Sequence, residues 1–337
     1  MKRVNVAIIG CGYWGPNLIR NFLRIKNCAV KYVCDVRKER LEWIKEIYPS
    51  LYTLTDYEVA LKDPEIQAVA IATPVSTHYQ IACASLNAGK HVLVEKPLTR
   101  TLEEAEKLVE LAREKKKVLM VSHTYLYSPG IRKLKEIIEK GMLGEIMYIN
   151  SIRVNLGLFQ KDINVVTDLA PHDLSILGFL LGRKPEYISC TGASHYTDGI
   201  EDVAFLTLYY SDNLIAHIHV SWIDPIKLRK ITLVGKKKMA IYDDLDSNEP
   251  LKIIDKSVEK IPYYKTYGEF RMLYRFGDIS SPHISSEEPL YVECCHFIEC
   301  IQHSKPPLTN GMEGKEIVRI LEIANQSLKN KGAVLKV

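Results

Sequence analysis

No stretch of this 337-residue chain approaches the roughly 18 unbroken apolar residues that a membrane-spanning helix needs. Nor is there a basic block. Lys and Arg number 45 against 41 Asp and Glu, and the surplus of +4 is spread thinly. That argues against nucleic acid as the partner and leaves an anionic or a neutral small ligand equally open. The apolar run Val4–Ile9 is interrupted by Asn5 and stops at glycines. It is too short for a secretory signal and no small-residue cleavage site follows, so a cytoplasmic protein with no membrane association is expected. Cys11, Cys28, Cys34, Cys83, Cys190, Cys294, Cys295 and Cys300 show no framework spacing. Reduced core thiols are the expectation, and a disulfide scaffold is not. Internal repeats and low-complexity tracts are lacking as well.

What is present is a globular composition, 47% hydrophobic and 26% charged, of a length that suits about two domains. Over the first 120 or so residues short apolar runs alternate with helical patterns, the mark of a parallel α/β sheet. The runs are Val4–Ile9, Val30–Cys34, Ala68–Ala72, His91–Val94 and Val118–Val121. Helices are predicted over Pro16–Ile25, Lys38–Ile47, Thr77–Leu86 and Leu102–Glu114, the last opened by a Thr101/Glu104 capping box. Past residue 122 the pattern changes. A helix over Gly130–Glu139 precedes strands at Glu145–Val154, Tyr187–His195, Val203–Tyr210, Leu214–Val220, Arg229–Leu233 and Met239–Tyr242, spaced as in a mostly antiparallel sheet. A helix is expected over His172–Leu181, a long surface excursion over Ser247–Pro289, and helices over Tyr291–His303 and Gly314–Leu328. The chain thus divides into residues 1–122 and 123–337, with the last helix and tail free to pack back on the first domain.

Gly10-Cys11-Gly12-Tyr13-Trp14-Gly15 matches Gly-x-Gly-x-x-Gly, a weak signal alone. Here it follows a predicted strand and opens a predicted helix, the setting in which it binds a dinucleotide. Gly10 permits the tight turn, Gly12 lets backbone approach a pyrophosphate, and Gly15 lets the helix pack on the sheet. Asp35, with Val36 and Arg37 behind it, ends the second strand 23 residues after Gly12, against an expected spacing of about 20. A carboxylate there accepts from ribose hydroxyls and repels a 2′-phosphate, favouring NAD; Arg37 softens that preference.

Glu95-Lys96-Pro97 follows the strand His91–Val94, at the carboxyl edge where open α/β sheets bind ligands. A lysine there can take the hydroxyl proton in an alcohol oxidation, and Pro97 would fix the turn that aims it, with a cis bond as the candidate geometry. Further on, Asp168 and His172 lie at the expected start of a helix opened by Pro171. They read either as a carboxylate–imidazole pair handling a substrate hydroxyl, or as a helix cap beside a half-buried histidine. His296, Cys300 and His303 share a helical face that could hold a metal. With Phe297 and Ile301 among them, a packed amphipathic helix without metal is the preferred reading.

Taken together, the fingerprint, Ala72-Thr73-Pro74 followed by His78, Glu95-Lys96-Pro97 and Asp168-x-x-x-His172 resemble the Gfo/Idh/MocA oxidoreductases over essentially the whole chain. The resemblance implies an N-terminal Rossmann doubly wound parallel sheet plus a C-terminal α+β domain. That second domain would carry a large, mostly antiparallel open sheet used for substrate and for subunit pairing, so a homo-oligomer is expected. Lys96 resembles the catalytic lysine and His172 the acid/base histidine, with Asp168 orienting substrate or histidine. Thr73, Pro74 and His78 would line the nicotinamide side, while His123, Tyr125 and Tyr127 match a segment that faces substrate in relatives. Many members read Asp-x-Gly-x-His-x-x-Asp; this chain has Ala170 and Ser175 at the two variant places. The stretch Arg153–Phe159 is most similar to members acting on nucleotide-linked amino sugars. It suggests a UDP-N-acetylhexosamine or its uronate oxidised at carbon 3, with Arg153 pairing a phosphate or carboxylate. Inositol or a free aldose, an NAD-dependent glycosidase and a non-enzymatic NAD(H)-binding regulator are the competing readings. A regulator would have no need of Lys96, Asp168 and His172.

Overall fold

The computed structural model describes residues 3–157, 159–160, 162–260 and 272–337. Leu158, in the stretch likened to amino-sugar enzymes, and residues 261–271 of the expected surface excursion lie outside them. The chain forms two compact units, Met1–Tyr127 with Glu287–Glu322, and Ser128–Ser286 with Ile323–Val337.

The first unit begins with β1 (Val4–Ile9), α1 (Gly15–Leu23), β2 (Cys28–Cys34), α2 (Lys38–Ile47), β3 (Tyr52–Leu54) and α3 (Tyr57–Lys62). It continues through β4 (Ala68–Ile71), α4 (Val75–Asn87), β5 (His91–Glu95), α5 (Leu102–Glu114) and β6 (Leu119–Ser122), then a 3₁₀ turn at Thr124–Tyr127. The six strands are parallel, in the order β3-β2-β1-β4-β5-β6. The order reverses between β1 and β4, which places a ligand crevice at the carboxyl ends of those strands. Every residue of β4 and β6 is buried, because helices cover both faces; this is why those strands read as continuous apolar runs. Thr101 Oγ1 accepts the Glu104 amide, while the Glu104 carboxylate reaches the Arg100 amide rather than closing a full capping box. Sequence reasoning passed over β3 and α3. With three strand residues and six helical ones, neither is long enough for a periodic pattern.

The second unit opens with α6 (Pro129–Glu139), β7 (Ile146–Leu156) and α7 (Val165–Leu181). There follow β8 (Tyr187–Ala193), β9 (Val203–Tyr209), β10 (Ile215–Ser221), β11 (Ile223–Gly235), β12 (Met239–Asp243), β13 (Leu251–Lys260) and β14 (Met272–Ser280). Two helices complete the chain's helical content, α8 (Pro289–His303) in the first unit and α9 (Gly311–Lys329) running from the first into the second, before β15 (Leu335–Lys336). The sheet order is β14-β13-β12-β11-β7-β10-β9-β8-β15, antiparallel throughout except for β10 beside β7.

Three expectations need correction. The excursion at Ser247–Pro289 contributes two paired strands, β13 and β14; β13 buries Leu251 and Ile253, while Tyr274, Phe276 and Ile279 of β14 are exposed. Of the last helix and tail, α9 as far as Glu322 lies with the first unit, and only the rest stays with the second, where β15 pairs with β8. Most consequential, α7 starts seven residues before His172. Asn164 caps it by accepting the Thr167 amide, and Pro171 lies inside the helix. Proline lacks the N–H that would bond the Thr167 carbonyl, so it suggested a start; the packed face of Val165, Val166, Ala170, Leu174 and Leu177 carries the helix through it. Among the described residues no helix is long and apolar enough to cross a membrane. All eight cysteines are free thiols.

Candidate active site

In the first unit the fingerprint forms the turn between β1 and α1. Gly10 sits at φ +99°, and a Cβ there would come within 2.6 Å of the Ala72 carbonyl oxygen at the end of β4. At Gly15 a Cβ would meet the Gly10 oxygen at 2.1 Å. Only glycine fits either place. A Cβ on Gly12 would meet nothing nearer than the Arg37 guanidinium at 3.9 Å, so its missing side chain leaves room against the loop where a pyrophosphate would lie. The site therefore fits the dinucleotide that the sequence implied.

Asp35 closes this loop. Its Oδ2 accepts the Cys11 amide at 2.7 Å, and its Oδ1 accepts the Arg37 amide at 2.9 Å and Arg37 Nε at 3.1 Å. Burial alone would raise the Asp35 pKa; the Arg37 and Cys11 donors outweigh it and hold the carboxyl below its ordinary value. Cys11 is fully buried, its thiol pushed up to about 12 by burial and then by the Asp35 charge. It is a packing residue of the turn and no nucleophile. Tyr13 and Trp14 stand exposed in an edge-to-face pair, centroids 5.5 Å apart, and Val36 is exposed beside the acid.

The turns after β4 and β5 are tied together. Lys96–Pro97 is a cis peptide bond. His78, on α4, lies between the two turns with Nδ1 2.9 Å from the Pro97 oxygen and Nε2 2.9 Å from the Thr73 oxygen. At 1% exposure His78 lines no cleft; it braces the turns that carry Thr73, Pro74 and Lys96. Burial lowers its pKa, against the pull of the two carbonyls. Lys96 is half-buried and Glu95 buried.

The segment after β6 is more buried than expected. His123 is buried with both ring nitrogens lacking a hydrogen-bond partner, and burial followed by the Lys96 charge lowers it to about 4. Tyr127 is 1% exposed, its hydroxyl 3.2 Å from Thr309 Oγ1 and its ring packed on His296. That corrects its substrate-facing assignment: Tyr127 anchors the 3₁₀ turn to the segment before α9. Tyr125 is half-buried. His296 Nε2 accepts the Leu308 amide at 3.0 Å and lies 3.4 Å from Cys300 Sγ, so this cluster serves helix packing.

In the second unit Asp168 and His172 are one helical turn apart on α7, on one face and both half-buried. They lie within the helix body and not at its end. Trp222 Nε1 donates to Asp168 Oδ2 at 3.1 Å. Trp222 is 1% exposed and packs on Phe159, which in turn meets Tyr196. Sequence reasoning missed Trp222, because only the register of β10 and β11 brings it to α7. Ser175 Oγ donates to the His172 carbonyl at 2.8 Å. Arg153 is buried. Its Nε and Nη2 reach Asp173 at 2.7 and 3.3 Å, and Ser151 Oγ donates to the same carboxylate at 2.7 Å.

Two family profiles match the chain: an oxidoreductase family with an NAD-binding Rossmann fold over residues 4–123, and the GFO/IDH/MocA C-terminal domain over residues 131–241. The chain is 26% identical to the UDP-N-acetylglucosamine 3-dehydrogenase of Acidithiobacillus ferrooxidans, covering 94% of this chain and 95% of that one. It is 23% identical to the myo-inositol 2-dehydrogenase of Thermotoga maritima, covering 98% of each. A solved structure of the UDP-N-acetylglucosamine 3-dehydrogenase from A. ferrooxidans superposes with a TM-score of 0.81 at 22% identity, over 98% of this chain and 99% of that one.

Proposed function

This chain belongs to the Gfo/Idh/MocA oxidoreductases and binds NAD; from that premise we propose that it oxidises, or reduces, carbon 3 of a UDP-N-acetylhexosamine or its uronate. The observation that carries the chemical part is the placement of Lys96 on a braced turn at the carboxyl end of β5, one strand from the reversal point of the sheet. The substrate class is supported by the near full-length likeness to a UDP-N-acetylglucosamine 3-dehydrogenase.

NAD, held by the Gly10–Gly15 turn and Asp35, supplies the hydride acceptor when bound. Lys96 exchanges the proton of the substrate hydroxyl, and the His78 brace keeps that amine in position, which matters because misplacement by about 1 Å can cost a hundredfold in rate. His172 assists the proton movement, and Asp168, steadied by the Trp222 indole, holds the hydroxyl or the imidazole. Arg153 is left out of the ligand set because Asp173 occupies its guanidinium.

The second unit also supports pairing of two copies. One face of its sheet is buried under α6 and α7, while the other presents Tyr148, Phe205 and Ile215 to solvent. An open sheet face that presents large aromatic and aliphatic side chains suits a homo-oligomer.

The test is NADH absorbance in purified protein given NAD with UDP-amino sugars, their uronates, inositols or free aldoses. A rise with the UDP-amino sugars that Lys96→Ala abolishes carries the proposal. A rise with inositol alone would replace the substrate, and release of free sugar without net NADH would replace the reaction by an NAD-dependent glycosidase.

A further inference from the structure

The connection between β8 and β9, residues 194–202, is built around one buried acid. Asp202 is 1% exposed, and its Oδ2 accepts the His195 amide at 2.7 Å and the Tyr196 amide at 3.1 Å. Its Oδ1 lies 2.7 Å from His195 Nδ1. Burial alone would raise Asp202, but the His195 ring and the two amides outweigh it and hold the carboxyl below its ordinary value. The carboxylate can only accept, so Nδ1 donates to it. At the tip, the Ile200 amide donates to the Thr197 oxygen at 3.0 Å, with Gly199 at φ +76°. The Glu201 backbone oxygen accepts the Val165 amide and its carboxylate accepts from Asn164 Nδ2, at the start of α7. The loop is thereby fixed to the helix that carries Asp168 and His172.

This frame holds two rings outward. The His195 side chain is 53% exposed and Tyr196 is 74% exposed. Tyr196 meets the half-open ring of Phe159 edge-to-face, centroids 5.2 Å apart. Phe159 packs on Trp222 at 5.7 Å, and Trp222 Nε1 donates to Asp168. Backbone bonds fix Trp222 in turn: its oxygen accepts the Gly157 amide and its amide donates to the Asp202 oxygen, both at 2.8 Å. One buried indole therefore links Asp168 to an exposed aromatic corner.

Rings held in water by a braced loop leave apolar surface that a flat ligand would cover. An open aromatic face stacks on a nucleobase. With its Nδ1 proton committed to Asp202, the neutral His195 ring presents Nε2 as an acceptor, which suits an N–H or a hydroxyl. Asp198, Glu201 and Asp202 make the loop acidic, so it disfavours a phosphate and suits an uncharged part of a ligand. In a uridine nucleotide the base supplies the flat face and an N–H, and the ribose supplies hydroxyls.

We infer that Phe159, His195 and Tyr196 form the subsite for the uridine end of the nucleotide sugar. The uracil stacks on Tyr196 beside Phe159, His195 Nε2 accepts from the uridine, and the diphosphate and sugar run past Trp222 towards Asp168. The inference rests on the UDP-sugar reading above and names the residues of this chain that select the nucleotide.

Saturation-transfer NMR with uridine and calorimetry with UDP, both on the NADH-loaded protein, test the subsite. Wild type should transfer saturation to uracil H5 and H6 and should bind UDP. Tyr196→Ala should weaken UDP about fivefold or more, the worth of one base–aromatic stack. His195→Ala should weaken it about fivefold, the worth of one neutral hydrogen bond. Both side chains are exposed, so the unfolding midpoint and NADH affinity should stay close to wild type. Unchanged UDP affinity in Tyr196→Ala overturns the subsite, and in His195→Ala it removes His195 from it. Transfer to N-acetylglucosamine in place of uridine overturns the nucleotide assignment. A changed sedimentation coefficient in Tyr196→Ala with unchanged UDP affinity assigns the rings to a contact between copies instead. NADH formation from a UDP-amino sugar by a protein whose UDP affinity ignores both variants keeps the substrate reading and loses the subsite. NADH formation from inositol alone, with no UDP binding, loses both.

Discussion

Arg153 on β7 and Asp173 on α7 form a buried ion pair, Nε to Oδ2 2.7 Å, with side chains only 6% and 1% exposed. The pair locks the helix that carries Asp168 and His172 onto the sheet. Truncating one partner leaves the other charge buried and alone, which costs about 3–5 kcal/mol. Arg153→Met should therefore lower unfolding stability by that order in a urea titration, and Arg153→Met with Asp173→Leu should recover part of it. A variant of unchanged stability but weaker substrate binding would return Arg153 to the ligand set.

Asp35 braces the fingerprint turn and, in the proposed site, would meet the adenosine ribose. Asp35→Ala should relax the NAD over NADP preference about tenfold or more, read as the ratio of kcat/KM values, because the repulsion of a 2′-phosphate disappears and Arg37 is released to meet it. Unchanged selectivity would confine Asp35 to holding the Cys11 amide.

Trp222→Phe keeps most of the buried ring but removes the donor to Asp168. Loss of one hydrogen bond to a charged group is worth about 1.5–3 kcal/mol. A roughly tenfold fall in kcat/KM is expected, with an unfolding midpoint close to wild type. A large stability loss without a kinetic effect would make the bond purely structural.

Burial, opposed by Lys96, raises Glu95 from 4.5 to about 7. A group whose folded pKa lies above its unfolded value stabilises the fold at low pH and loses that contribution as pH rises through the folded pKa. Thermal stability should thus decline from about pH 4.5 to about pH 7 on account of Glu95, and the Glu95→Gln curve should be flatter over that window. Scanning calorimetry across the range decides it; parallel curves would show that Glu95 is not perturbed.

The exposed sheet face predicts its own outcome. Phe205→Lys with Ile215→Lys should shift the protein from oligomer to monomer in analytical ultracentrifugation, since both side chains are half exposed on that face. An unchanged sedimentation coefficient would move the contact elsewhere.

The first sheet was legible because its strands and helices are local. Val4–Ile9, Lys38–Ile47 and Leu102–Glu114 lie where periodicity puts them, and the glycines of the fingerprint are required by a turn of six residues. The antiparallel strands were legible for the same reason, as alternation is a property of neighbours in sequence. Pro171 misled because a local rule was overridden by the packing of α7 on both sides of it, and β14 was hidden because its exposed residues need no apolar alternation.

The sequence by itself pointed to the cofactor turn and the acid at Asp35, whose spacing its own backbone supplies, and its resemblance to a family singled out Lys96, Asp168 and His172 as candidates. Only the tertiary structure decided what surrounds them. That Arg153 is committed to Asp173, that Trp222 holds Asp168, that His78 braces two turns, and that Phe159 comes to pack on Trp222 all depend on elements far apart in the chain. Burial and hydrogen bonding between such elements leave no periodic trace in sequence, and these contacts fix where each candidate side chain sits.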